Sequence, residues 1–473
     1  QALAGGAKSV STVVANKLLL EAGQKTASEY YIFGHPQVQV VVGNNRAYLQ
    51  GSNNSFDIVF LPLTDAYQPV TNGVYSIAEN YLLTKEGINN ALGSLSPQGI
   101  FVSSRWLQNP SSEGLRMVSI LLESLEKQGI QNPPDSFVIY RGMQTMTVLV
   151  KPSGWSISEL DSLRSFLERC RFDLVWAPDF QMDELNQWNR LPEPIYHQEI
   201  RNLFQSSNRM EFYSTYQFNI TPPTDNQPFF FHFFTWHQAP QILNALGKTW
   251  QPFGGSGFFL LIFLLALVLI LSSLMILLPL FFHKKNWRDE GSQGKTWILL
   301  YFGLIGIGFM FVEIPLIGQW TLIFSTPIAA FTAVVGVLLL SSGLGSMAAK
   351  ETWRYQTLLY PFLIFLGGGF VIGFTFMKET VLSWPLWIRC LVAFMGLSPL
   401  GFCMGLFFPK GIFYVKRSSP VLVPWAWAIN GSASVIASVL TAILSLQAGY
   451  SLVLILGGIA YLSAWVILRT KLD

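Results

Sequence analysis

Near residue 250 the chain changes character. Residues 1–250 alternate short apolar runs with helical periods, whereas 257–468 is a succession of apolar stretches of bilayer length. A hydrocarbon core takes roughly 20 apolar residues per helix. The second part is thereby constrained to a polytopic helical domain, with seven spans expected near 257–282, 297–317, 326–348, 357–377, 386–408, 424–447 and 449–468. The first part reads as a water-soluble α/β domain.

Charge divides at the same place. Up to Pro252 there are 17 Lys and Arg against 21 Asp and Glu, and beyond it 13 against 6, so the halves carry −4 and +7. Because the basic half is the membrane half, its charge belongs to the lipid bilayer and to topology, not to nucleic acid. Lys284, Lys285, Arg288 and Lys295 follow the first span, and Lys350 and Arg354 the third. Lys410, Lys416 and Arg417 follow the fifth, Arg469 and Lys471 the seventh, and the alternate connections hold only Lys378. Those basic ends are expected to face the cytoplasm, which with seven spans makes the soluble domain extracytoplasmic. Cys170, Cys390 and Cys403 form no disulfide framework and have no metal-ligand spacing.

Two charged residues fall inside spans, where they are costly. Glu313 sits near the outer end of span 2 and Arg389 near the outer start of span 5. They read either as an ion pair within the bundle or as two side chains that snorkel separately to the interface. Gly367-Gly368-Gly369, Gly343 with Gly345, and Gly431-Ser432-Ala433-Ser434 are small-residue surfaces suited to close helix packing.

In the soluble half the expected strands are Val10–Val14, Val38–Val42, Asp57–Leu61, Gly99–Ser104, Ser136–Tyr140 and Met146–Val150. Helices are expected near 16–23, 78–94, 111–128 and 156–170, the last capped by Ser156 or Ser158 with Glu159 and Asp161 in its first turn. The alternation argues for a doubly wound, parallel α/β sheet.

Several stretches resemble spermidine/spermine synthases, a branch of the S-adenosylmethionine-type transferases. Gly6-Ala7-Lys8-Ser9-Val10, Asn45-Arg46-Ala47-Tyr48-Leu49 and Phe56-Asp57-Ile58-Val59 look like the second, third and fourth strand regions of that fold. The segments 75–86, 224–233, 311–315 (Phe-Val-Glu-Ile-Pro) and 424–431 are similar to the polytopic membrane-bound members. The likeness runs through nearly the whole chain in the same order, and it implies a Rossmann-like fold; activity does not follow from it.

Such a fold holds its cofactor with a Gly-rich turn after strand 1, an acid ending strand 2 and a polar or acidic residue after strand 3. The family's Glu-Ile-Asn-Pro at the end of strand 2 is here Val14-Ala15-Asn16-Lys17, and Val14 cannot bond a ribose diol. After strand 3 the sequence offers Asn44-Asn45-Arg46, amides without an acid. Asn16 and Asn45 are thus degenerate remnants of a cofactor site. Aminopropyl transfer also needs carboxylates for polyamine ammonium groups and a base. Asp65, Tyr75 and Glu79 are the candidates, although Asp65 also reads as a turn residue and Glu79 as a helix N-terminal acid. Asp225 reads as a turn anchor setting the domain on the membrane, and His232 and His237 as part of an interfacial aromatic belt.

The expected first strand, central between strands 2 and 4 in this order, is absent from the sequence. Its absence would leave two long apolar edges exposed. Residues 1–473 are therefore expected not to fold alone, the strand coming from upstream residues or from another chain. The leading expectation is an integral membrane, spermidine-synthase-like pseudoenzyme without bound S-adenosyl nucleotide, acting as scaffold or accessory subunit beside other membrane proteins. The alternatives are an active aminopropyl- or methyltransferase of polyamine-type metabolism, and a transporter-like module using Glu313 and Arg389.

Overall fold

The computed structural model describes residues 2–14, 16–26, 31–52, 55–63, 77–240, 256–282, 292–349 and 356–472. They fall into two compact units, Gln1–Phe258 and Phe259–Asp473.

In the first unit the element order is β1 (Val10–Val14), α1 (Lys17–Thr26), β2 (Val38–Val42), α2 (Asn45–Gln50), β3 (Phe56–Leu61), α3 (Lys85–Gly93), β4 (Leu95–Trp106) and α4 (Glu113–Lys127). It continues with β5 (Phe137–Arg141), β6 (Thr145–Val150), α5 (Ile157–Cys170), β7 (Asp173–Trp176), α6 (Ile195–Gln205) and α7 (Arg209–Thr215). The expected strands are all present within a few residues, and α5 starts with the Ser156–Glu159 capping box. The short β7 and the helices α2, α6 and α7 escaped the sequence reading.

The sheet corrects the expectation of an all-parallel, doubly wound arrangement. β1 and β2 form a parallel pair of their own, with Val10 opposite Val38. The five-stranded sheet runs β3-β4-β6-β5-β7. Only β3 and β4 are parallel in it, and β6, β5 and β7 join antiparallel. The cause is local: β5 and β6 are separated by Gly142-Met143-Gln144, long enough for a hairpin and far too short for a parallel crossover.

Among the described residues β1 pairs only with β2 and β3 only with β4, so each keeps one open edge. The region around those edges is also poorly covered. α1 buries no residue, and Leu18, Leu19 and Ile58 are 67%, 66% and 64% exposed. The core lies instead around α4, whose Leu115, Val118, Leu121 and Leu125 pack with Phe101, Phe137, Val148, Phe230 and Phe233.

The second unit contains helices α8 (Ser256–Phe282), α9 (Ser292–Phe324), α10 (Pro327–Ala348), α11 (Gln356–Leu382), α12 (Leu386–Ser418) and α13 (Val423–Ile467). Among the described residues five helices are long and apolar enough to cross a membrane. α13 is broken at Gly449, whose φ of 80° and ψ of 170° suit a residue without Cβ. Both its halves flank α9: Asn430 Nδ2 donates to the Phe302 carbonyl at 3.1 Å, and Gly308 lies against Tyr461. Close approach elsewhere rests on missing side chains. A Cβ on Gly405 would stand 2.0 Å from the Ser342 carbonyl oxygen, and one on Gly345 2.1 Å from that of Phe402, which locks α12 onto α10.

Candidate functional site

Parallel strands of an α/β sheet present ligands at their carboxyl ends, so the loops after β1 to β4 define the region to inspect. Asp65 and Tyr75 lie outside the described residues. Glu79 is half-buried in the loop before α3, next to Asn80, whose backbone N–H donates to the Pro228 carbonyl at 2.7 Å. Asn16 is exposed, and its side chain accepts from the Leu18 amide at 3.0 Å, a turn at the head of α1. Asn44 caps α2 by accepting from the amides of Arg46 and Ala47, while Asn45 is the half-buried first residue of that helix.

What the structure does bring together was not foreseen. Arg46, on α2, forms a buried salt bridge with Asp225, both side chains 2% exposed. Thr84 Oγ1 donates to the same Asp225 oxygen at 2.8 Å and accepts from the Gly87 amide, so it caps α3 as it binds the carboxylate. The Asp225 amide donates to Glu86 at 3.0 Å. Asp225 is therefore an internal latch joining α2, the head of α3 and the 224–228 turn, which revises its reading as a membrane anchor.

A second latch holds the aromatic run behind it. The fully buried Arg116 guanidinium donates to the carbonyls of Phe229, Phe230 and His232 and lies 4.5 Å from the Phe233 ring centroid. With no carboxylate among those contacts, burial brings its pKa down to about 9. Burial, with Arg116 adding to it, pushes His232 down to about 3, so its imidazole is neutral in neutral water. Phe230 and Phe233 are fully buried in the α/β core and His232 is 3% exposed, so this run is not the interfacial belt expected; His237 is exposed. Hydropathy marks such a run as apolar but does not say whether protein or lipid covers it.

At the end of β4, the polar side chains brace the loop 107–112. Gln108 accepts from Ser112 and donates to Glu113, which is 1% exposed. Glu199 accepts from the Ser111 amide and the Tyr216 hydroxyl, and burial lifts its carboxyl above the usual range against those hydrogen bonds. Arg105 stands 5.5 Å from the Phe230 ring centroid. These groups are spent on each other, an arrangement that fixes a backbone and leaves little for a substrate. A cavity of about 10 Å³ beside Arg141, Tyr196 and His197 is at the scale of one water, against the 300 Å³ or more of an ordinary small-molecule site. Among the described residues no cluster of His, Cys, Asp and Glu could hold a metal ion.

In the second unit, of the two readings of Glu313 and Arg389, the ion pair is not formed. Arg389 donates to the carbonyls of Ile323, Leu382 and Trp384 at 2.7–2.8 Å, closing the ends of α9 and α11. Span 2 was drawn to end at 317, but α9 continues to Phe324. Glu313 is thus ten residues, about 15 Å, along the helix from Ile323 at 1.5 Å per residue. Lys410, placed in a connection by the sequence reading, lies inside α12 and is 2% exposed.

Neither the models of known protein families nor the curated, characterised proteins include a match to this chain.

Proposed function

We propose that this chain is a multi-pass membrane protein whose spermidine-synthase-like α/β half no longer carries out transfer chemistry and serves as the scaffold or accessory subunit of a membrane complex. The observation that carries the proposal is that, among the described residues, β1 and β3 each keep one edge without a strand partner, with Ile58 and Phe60 exposed on β3. Strand edges of this kind recruit another strand. The occupant is an extended apolar segment supplied by residues upstream or by a partner subunit. Supporting the loss of chemistry, Val14 stands where the resembled family has a ribose-binding acid, and Asn16 is used to turn the chain into α1.

The membrane half, in this reading, crosses seven times, with α13 counted as two spans that meet at Gly449. Supporting that count, Lys471 lies 5.4 Å from the Trp297 ring centroid, and Tyr301 donates to the Phe407 carbonyl at 2.6 Å. Those contacts join the start of α9 to the second half of α12 and to the residues that follow α13. The basic connections of the sequence are read as lying on that same side. With that side cytoplasmic, the α/β half is extracytoplasmic.

The test is ligand binding by the purified full chain. Millimolar S-adenosyl nucleotide is expected to leave the thermal midpoint unchanged, whereas a ligand bound at 100 times its Kd would stabilise by about 2.7 kcal/mol. A stabilisation of that size, removed by Asp65→Ala or Glu79→Ala, would restore the transferase reading.

A further inference from the structure

The polar stripe along α13 faces α9 in a register that can be counted. Asn430 donates to the Phe302 carbonyl at 3.1 Å, and Ser434 Oγ, 2.9 Å from the Asn430 carbonyl of its own helix, also lies 3.3 Å from the Gly306 carbonyl. Both partners advance by four residues in the same sense, so the two helices run parallel here. Seven further residues are two helical turns, about 10.5 Å, and return to nearly the same face. That step takes Gly306 to Glu313 and Ser434 to Thr441, and one more turn reaches Ser445.

Thr441 is completely buried and Ser445 is 2% exposed, and neither hydroxyl oxygen has a hydrogen-bond partner. Buried hydroxyls are ordinarily satisfied, and inside a membrane helix each has the carbonyl one turn back within reach. Two in succession left unpaired, on the face that the counted register turns toward a carboxylate, is a specific signal. A further oxygen is released beside them. Pro315 has no N–H, so the Phe311 carbonyl loses its helical donor, and Phe311 packs with Ala437 and Val453 on the two halves of α13.

No lysine or arginine among the described residues lies within ion-pair distance of Glu313; Arg389 is engaged with carbonyls at the level of Ile323. The titratable groups brought close from the neighbouring helices include Tyr461 on α13 and, beside it, Cys403 on α12, and neither is a cation. A carboxylate, two hydroxyls and a freed carbonyl form a set of hard oxygen ligands with one negative charge.

We propose that Glu313, Thr441, Ser445 and the Phe311 carbonyl form a binding site for a small, hard monovalent cation, sodium, within the membrane half. The inference stands on the second unit alone and is independent of what the α/β half does. Small size follows from the close approach of the two helices, where a Cβ on Gly306 would stand 2.5 Å from the Asn430 carbonyl oxygen.

The test measures thermal unfolding of the full chain in detergent or nanodiscs at constant ionic strength, exchanging NaCl for KCl or choline chloride between pH 6 and 9. Sodium is expected to raise the midpoint where potassium and choline do not. Glu313→Gln should abolish that dependence, Thr441→Val should raise the half-saturating sodium concentration at least about tenfold, and Thr441→Ser should preserve it. The serine and valine variants keep the readout intact if the glutamine variant does not fold. Equal midpoints in all three salts, or a sodium response that persists in Glu313→Gln, would overturn the site. So would a stabilisation that follows pH alone, which would give the carboxylate to a proton.

Discussion

Arg46 and Asp225 are 179 residues apart in sequence and share a salt bridge from which water is excluded, with Thr84 donating to the same carboxylate oxygen at 2.8 Å. The pair makes the second parallel strand unit and the start of α3 answer to the turn that precedes the membrane half. Removing one member strands the other as a buried charge. Asp225→Leu or Arg46→Met is expected to cost about 3–5 kcal/mol, and the double replacement much less than the sum. A double-mutant cycle on thermal unfolding of the full chain checks this, and additivity would show that the pair is not coupled.

His232 gives the α/β half an acid-sensitive element. Its folded-state pKa of about 3 lies below the ordinary 6.5, so the folded state holds it neutral. Its contribution is complete above pH 6.5 and is lost as pH falls from there toward 3, at no more than about 1.4 kcal/mol per pH unit. Glu199, with its raised pKa, works in the opposite sense, gaining as pH falls through its range. The difference between wild type and His232→Phe in midpoint-versus-pH curves isolates the first effect; parallel curves would refute it.

Arg389 and Glu313 should behave as strangers. Arg389→Gln leaves the carbonyls of Ile323, Leu382 and Trp384 without their donor, and each such loss costs about 1–3 kcal/mol. Adding Glu313→Gln is expected to change stability independently, with a coupling below about 0.5 kcal/mol. A larger coupling would revive the ion pair.

The packing of α10 on α12 offers an internal control. Gly405→Ala puts a methyl 2.0 Å from the Ser342 carbonyl and is expected to destabilise by about 1–3 kcal/mol or more. Gly343→Ala, in the same helix pair, meets no atom within 4 Å and is expected to be neutral or slightly stabilising. Equal effects would mean that α10 and α12 do not meet through Gly405.

Native cysteines can report sidedness. Cys170 is exposed on the α/β half and Cys403 is buried. In intact cells, with Cys390 and Cys403 replaced by serine, a membrane-impermeant maleimide is expected to label Cys170 from outside. Labelling only after permeabilisation would put the α/β half in the cytoplasm.

Periodicity was enough to find the strands from Val10 to Val150 and the apolar helices, because both patterns are written in neighbouring residues. Strand order was not, since the direction of β5 to β7 depends on which strands meet, and alternation of elements was a poor guide to that. The latches were illegible for a related reason. In the sequence Arg46 is an ordinary polar residue after strand 3 of the resembled fold, and only the fold brings Asp225 to it. Arg116 did leave a trace, a cation within the apolar Leu115–Leu122 stretch of α4. Glu313 stands out in the sequence as an acid within a span, but Thr441 and Ser445, proposed to share its site, lie more than 120 residues away.

The uncovered side of β3 bears on how the cell handles this protein. In the proposed complex, newly made chain that has not met its partner would display Ile58 and Phe60 to chaperones and proteases. Surveillance of that kind discards unassembled copies, so abundance would be set by whichever component is scarcer, and stoichiometry would need no dedicated regulator.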